Sequence, residues 1–154
     1  MTYRRDLGLL VLRLGAGATL AAHGLPKLLG GPERKPPRWL AGLMGQNYEA
    51  AWEGSGPEQF GAALKKMGIP LPELGAQASG WAELGGGAAL ALGLATPVSA
   101  ILVLGNMLVA IRTAHWKVGF YGQGGYEFPL SLAVASATLL LTGPGRISVD
   151  ALLG

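Results

Sequence analysis

The chain has 154 residues, of which 50% are apolar and only 14% charged, with a mean hydropathy of +0.37. A soluble domain carries about 25% charged residues, and this much apolar surface exceeds what one small water-soluble core buries. No cysteine is present, which excludes disulfides, thiol relays, covalent c-type haem, Fe–S clusters and thiolate zinc sites within the chain. The net charge of +3 comes from scattered residues, not from a basic face interleaved with aromatics, so a nucleic-acid partner is not expected.

The first apolar stretch, residues 7–29 (LGLLVLRLGAGATLAAHGLPKLL), is long enough to cross a hydrocarbon core of about 20 residues. Arg4 and Arg5 before it resemble the start of a signal peptide. The stretch is longer than such a segment, however, and three more apolar stretches follow, so a retained helix is expected. Pro26 and Gly30-Gly31-Pro32 mark its end. Residues 30–75 form a polar connection, inside which Pro57–Met67 reads as a short amphipathic helix with Phe60, Leu64 and Met67 on one face. Its expected place is the membrane surface, with packing on the bundle as the alternative. Further spans are expected over 76–95, 98–114 and 127–142, the first two joined by a tight turn at Thr96-Pro97. The expected fold class is therefore all-α: a four-transmembrane-helix antiparallel bundle forming a single integral membrane domain over 1–154. Both termini then lie on one face, and loops 30–75 and 115–126 on the other. Arg4 and Arg5 favour a cytoplasmic N-terminus by the positive-inside rule, whereas the opposite face carries more Lys and Arg in total.

Ionisable groups at membrane depth cost roughly 2.5–3.5 kcal/mol on insertion scales and need partners. At about 1.5 Å per residue, Arg13 lies roughly 9 Å, Asn106 about 13 Å and Glu83 roughly 16 Å from the face that holds the termini. An Arg13–Glu83 pair with Asn106 nearby is therefore expected at mid-depth. It reads either as a clamp between two helices or as a ligand-contacting pair. A second polar layer, His23, Lys27, Arg112, His115 and Glu127, falls near the opposite face. These residues are candidates for a proton path, because histidine exchanges protons near neutral pH. The plainer reading makes the histidines interfacial and Glu127 a partner of a helix dipole. His23, His115 and Glu127 are metal-ligand types without a close-spaced motif, and no metal is expected. Trp39, Trp52, Trp81 and Trp116 fit an aromatic belt. Gly8, Gly15 and Ala22 recur every seven positions, and Gly86, Ala89 and Gly93 form a similar series. Both predict close helix contact. Gly85-Gly86-Gly87 lies in an apolar helix with no strand before it, which argues against a nucleotide loop.

Several motifs recur together in order: Arg13-Leu14, His23-Gly24 and Lys27-Leu28 in the first span; Phe60 and Met67-Gly68-Ile69-Pro70 in the connection; Ala82-Glu83-Leu84, Gly86-Gly87, Leu90 and Gly93-Leu94 in the second. Asn106-Met107 and His115 follow, then Gly125-Tyr126-Glu127, and Gly143-Pro144-Gly145 with Ser148 and Asp150. On these residues the chain resembles the DoxX family of small four-helix membrane proteins, with an insert around 33–55 that lengthens the first connection. The resemblance implies a bacterial plasma-membrane protein. Some members of the family are membrane subunits of thiosulfate:quinone oxidoreductases, others belong to oxidative-stress or thiol-detoxifying assemblies, and distant relatives act as chaperones or cargo receptors.

The expected function is a membrane subunit that binds a quinone or similar lipophilic redox substrate through Arg13, Glu83 and Asn106. It holds no covalent cofactor and depends on a partner redox subunit or a homo-oligomer. The alternatives are a non-catalytic membrane scaffold for a partner protein and, third, a small-solute transporter. A helix broken mid-span would favour the transporter, but Pro26, Pro97 and Pro129 all lie near helix ends.

Overall fold

A computed structural model describes residues 2–154. All regular structure among them is helical: α1 (Thr2–Leu29), α2 (Arg38–Met44), α3 (Gln46–Gly54), α4 (Pro57–Lys66), α5 (Pro72–Leu92), α6 (Thr96–Ala110) with a π-helical turn (Ile111–His115), α7 (Glu127–Thr142) and α8 (Val149–Leu153). The fourth expected segment matches α7 in full. The second begins four residues earlier than expected, at Pro72, because Pro at the first turn leaves no helical hydrogen bond unmade. The connection 30–75 holds three helices where one was expected. Two candidate spans meet the combined test of length and apolarity, Tyr3–Leu29 and Thr96–His115, and α7 is a shorter apolar helix.

The chain divides into two compact units, one of residues 1–21 with 85–154 and one of residues 22–84. The core of the first unit is built from Leu9, Ala16 and Leu20 of α1, Leu90 of α5, Ala100, Val103 and Met107 of α6, and Leu132, Ala133, Ala135 and Leu139 of α7. Outside that core the same helices remain apolar: Val11 is 70%, Ile101 57%, Val134 58% and Leu141 85% exposed. A face of this kind suits lipid and is costly in water. The hydroxyls of Ser136, Thr138 and Thr142 donate back to the carbonyls of Leu132, Val134 and Thr138, at 2.9, 2.8 and 2.7 Å. That satisfies each polar group inside its own helix, as an apolar surrounding demands.

Close approach is set by glycine. A Cβ on Gly17 would stand 2.5 Å from the Gly87 carbonyl oxygen, and one on Gly87 would stand 2.8 Å from that of Gly17. Gly8 and Gly15, by contrast, have nothing within 4 Å of an added Cβ, so the expected Gly8/Gly15 contact face is corrected. The contact row runs through Gly17 and, in the second unit, Gly24, whose Cβ would overlap the backbone of Leu84. Two residues of offset is about 200° around a helix, which is the other side.

In the second unit α1 continues through Pro26 to Leu29. Proline has no N–H to give the carbonyl four residues back, which leaves that of Ala22 open. The Tyr48 hydroxyl of α3 donates to it at 2.9 Å. Burial pushes the Tyr48 phenol above its ordinary pKa, so it remains a donor. The Gly31 N–H, donating to Trp52 O at 2.9 Å, makes a second tie. The buried Leu40 and Trp52 complete the inner face of the α2–α3 insert.

Candidate functional site

In the second unit, α1 presents His23 and Lys27 one turn apart, and α5 presents Glu83. Gly24 against the Leu84 backbone and Gly80 against the Leu28 side chain bring these helices together. Lys27 Nζ lies 2.6 Å from Glu83 Oε1, with side chains 23% and 5% exposed. The Phe60 ring of α4 stands 4.7 Å from the same ammonium, within cation–π range. A carboxylate so desolvated is costly without a partner, and Lys27 is the partner found. His23 is exposed at the same end of α1.

The expected Arg13–Glu83 pair joins residues of two different units, and within its own unit each has a partner that the depths alone did not single out. In the first unit, Arg13 is fully buried and its Nη2 donates to the Ile147 carbonyl oxygen. Its Nε and Nη1 have no hydrogen-bond partner among the described residues. Gly93, with φ of 66°, lies so close that a Cβ there would overlap the Arg13 guanidinium. Asp150 completes the arrangement. Its backbone N–H donates to Gly93 O at 2.8 Å, and its carboxylate accepts from the N–H groups of Ala95 and Thr96 at 2.6 and 2.9 Å. Those are the amides of the residue before α6 and of its first residue, so the C-terminal segment caps a helix far away in sequence. Burial alone would raise the Asp150 pKa, but these amides and the Arg13 charge hold it below the usual carboxylate value.

The third cluster, also in the first unit, surrounds the π-helical turn, a feature frequent at functional sites. His115 Nδ1 is 2.7 Å from Gly124 O. A carbonyl only accepts, so Nδ1 carries the hydrogen and Nε2 is left for another exchange. Glu127 accepts from the Gly122 N–H over a long 3.4 Å, and Arg112 is exposed. Trp116 stacks on Tyr126 at 5.6 Å between centroids, and Phe120 meets the same ring edge-on at 5.4 Å. Asn106 is half-buried on α6. The candidate proton-path residues thus belong to two units: His23 and Lys27 to one, Arg112, His115 and Glu127 to the other. Among the described residues no group of three or more His, Asp and Glu is placed to hold a metal ion.

Phe60, Tyr48 and Asp150 are the participants that the reading of charges and depths did not place. Asp150 carried a signal, a carboxylate two residues after Ser148 behind a Gly-Pro-Gly break, but nothing local says that it caps α6.

Apolar outward faces with ionisable groups held inside fit a membrane protein, and the comparisons with known proteins give the same class. The DoxX family model matches residues 8–116, and the chain belongs to the DoxX family. It is 32% identical over 145 residues, covering 84% of this chain and 88% of the relative, to a Mycobacterium tuberculosis protein described as an uncharacterized membrane protein. No solved structure matches the chain.

Proposed function

We propose that this DoxX protein is a multi-pass protein of the bacterial plasma membrane that binds a lipophilic quinone-type substrate beside Lys27 and Glu83 and works with a partner redox subunit. The observation that carries the reading is the 2.6 Å Lys27–Glu83 pair with Phe60 at 4.7 Å from the ammonium. An ammonium, a desolvated carboxylate and an aromatic ring fit the two needs of a quinone head: a donor for a carbonyl oxygen and an apolar surface for the ring. When bound, the quinone supplies the redox chemistry. Lys27 orients a carbonyl oxygen, Phe60 excludes water, and Glu83 with His23 holds and exchanges protons at that end of α1. His115, Arg112 and Glu127 serve as a proton port at the π-helical turn, while Arg13 acts through the C-terminal segment. The partner redox subunit supplies the electrons, because a cysteine-free chain has no thiol relay of its own.

The test is titration of the purified protein with short-chain ubiquinone and menaquinone analogues. Saturable binding is expected, weakened about 10- to 100-fold in folded Lys27→Met and Glu83→Gln variants, the range of one charge-assisted hydrogen bond. Absence of saturable binding, or equal affinity in both variants, removes the proposal. One observation favours a scaffold instead: Lys27, Arg13 and His115 each already have a protein partner. A scaffold retains its partner protein when Lys27 and Glu83 are together replaced by Met and Leu, because an apolar pair of similar volume often replaces an ion pair at no loss of stability. A quinone site does not retain its ligand.

A further inference from the structure

The insert 33–55 is folded, with one face turned inward and one left apolar and uncovered. Leu40 and Trp52 are 5% and 4% exposed, whereas Trp39 and Leu43, one turn apart on α2, are 72% and 73% exposed, with Met44 beside them at 42%. The segment leading into α2 carries Arg34 and Lys35, and Arg38 opens the helix, all three exposed, against one acid, Glu33. Glu49 and Glu53 lie on α3. The insert begins directly after the candidate span that ends at Leu29, and is tied to it by the Gly31–Trp52 and Tyr48–Ala22 hydrogen bonds. Basic side chains next to a span, followed by an outward tryptophan and leucine, match the chemistry of an anionic lipid surface: cations for the phosphates, and an apolar patch for the boundary below them. Tryptophan favours that interface in particular.

We propose that α2 is a lipid-recognition element, with Trp39 and Leu43 inserted into the membrane boundary and Arg34, Lys35 and Arg38 binding anionic phospholipid headgroups. This assignment stands apart from the Lys27–Glu83 site and holds whether or not a quinone binds there.

The absence of cysteine makes the test clean. A single Leu43→Cys substitution, with Trp39→Cys as a second site, is labelled with a nitroxide in the full chain. The protein is then reconstituted into phosphatidylcholine vesicles with and without phosphatidylglycerol, and Glu49→Cys on α3 serves as the comparison. Labels at 43 and 39 are expected to collide more with oxygen than with a water-soluble nickel chelate, and the label at 49 the reverse. Phosphatidylglycerol should deepen the labels at 43 and 39. Co-purified phosphatidylglycerol, counted by native mass spectrometry, should fall about fivefold for each charge removed by Arg34→Gln, Lys35→Gln and Arg38→Gln. Nickel accessibility at 43 and 39 equal to that at 49 overturns the proposal. So does indifference to phosphatidylglycerol, and so does a label shielded from both reagents, which is the mark of a protein partner.

Discussion

Asp150 concentrates several effects in one side chain. Its carboxylate accepts from the amides of Ala95 and Thr96, while Arg13 sends its Nη2 to Ile147, three residues earlier. The native pKa lies below the ordinary one, so the unfolded chain binds this proton more readily. The contribution to stability is complete above the unfolded value, near pH 4, and disappears as pH falls through the lower native value. Asp150→Asn keeps the shape but accepts with one oxygen and no charge. It should be less stable than the parent at neutral pH by about 0.5–2 kcal/mol, the range for a lost helix cap. The difference should shrink as both proteins are acidified below about pH 4. Thermal unfolding in detergent as a function of pH measures this directly. A gap between the two proteins that stays constant from pH 7 to pH 3 would show that the charge of Asp150 is irrelevant.

Helix contacts follow the same logic with glycine as the variable. An added methyl at position 17 meets Gly87 O at 2.5 Å and Ala91 N at 2.7 Å. Both are backbone atoms, which cannot rotate aside. Gly17→Ala should therefore cost about 1–3 kcal/mol through overpacking. Gly15→Ala, with open space around it, should be neutral or stabilising by up to about 1 kcal/mol from helix propensity alone. Paired thermal melts decide the matter, and equal shifts for the two variants would contradict the contact. This pair also marks how far the sequence could be read. A seven-residue series of small residues was visible, and so was the helical nature of every long segment. The phase of the series was not, because a helix in lipid is apolar on its outer face as well as its inner one. Hydropathy then gives no sign of which side packs. Depth arithmetic gave no sign of the Arg13 contact within its unit, a backbone carbonyl at Ile147, because carbonyls carry no residue signature. Glu83 was visible as a group needing a cation, but Arg13 and Lys27 were both available on α1. Only the close approach at Gly24 and Gly80 selects Lys27.

For the molecule as a whole, the number of crossings decides what the clusters can do. α1 and the Thr96–His115 segment pass the test of length and apolarity. α5 has 21 residues, about 31 Å, but carries Glu73, Gln77, Ser79 and Glu83. α7 has 16 residues, about 24 Å, short of a core of about 30 Å. A bilayer thins locally around such a helix at modest cost, and the Lys27 partner of Glu83 answers the costliest of the objections to α5. Four crossings place Arg4, Leu94 and Leu153 on one side and Gln46 and Gln123 on the other. Two crossings, by α1 and α6 alone, move Gln123 to the side of the termini and Leu94 to that of Gln46. Single cysteines at these five positions in the cysteine-free chain, probed in intact cells with a membrane-impermeant maleimide, separate the two arrangements. The four-crossing arrangement requires positions 46 and 123 to react alike and positions 4, 94 and 153 to react oppositely. Opposite behaviour at 46 and 123 would leave α5 and α7 outside the bilayer. The Lys27–Glu83 pair would then lose the apolar surrounding that a lipophilic substrate needs. The same labelling fixes orientation, where Arg4 and Arg5 compete with the larger basic set of the connection for the cytoplasmic side.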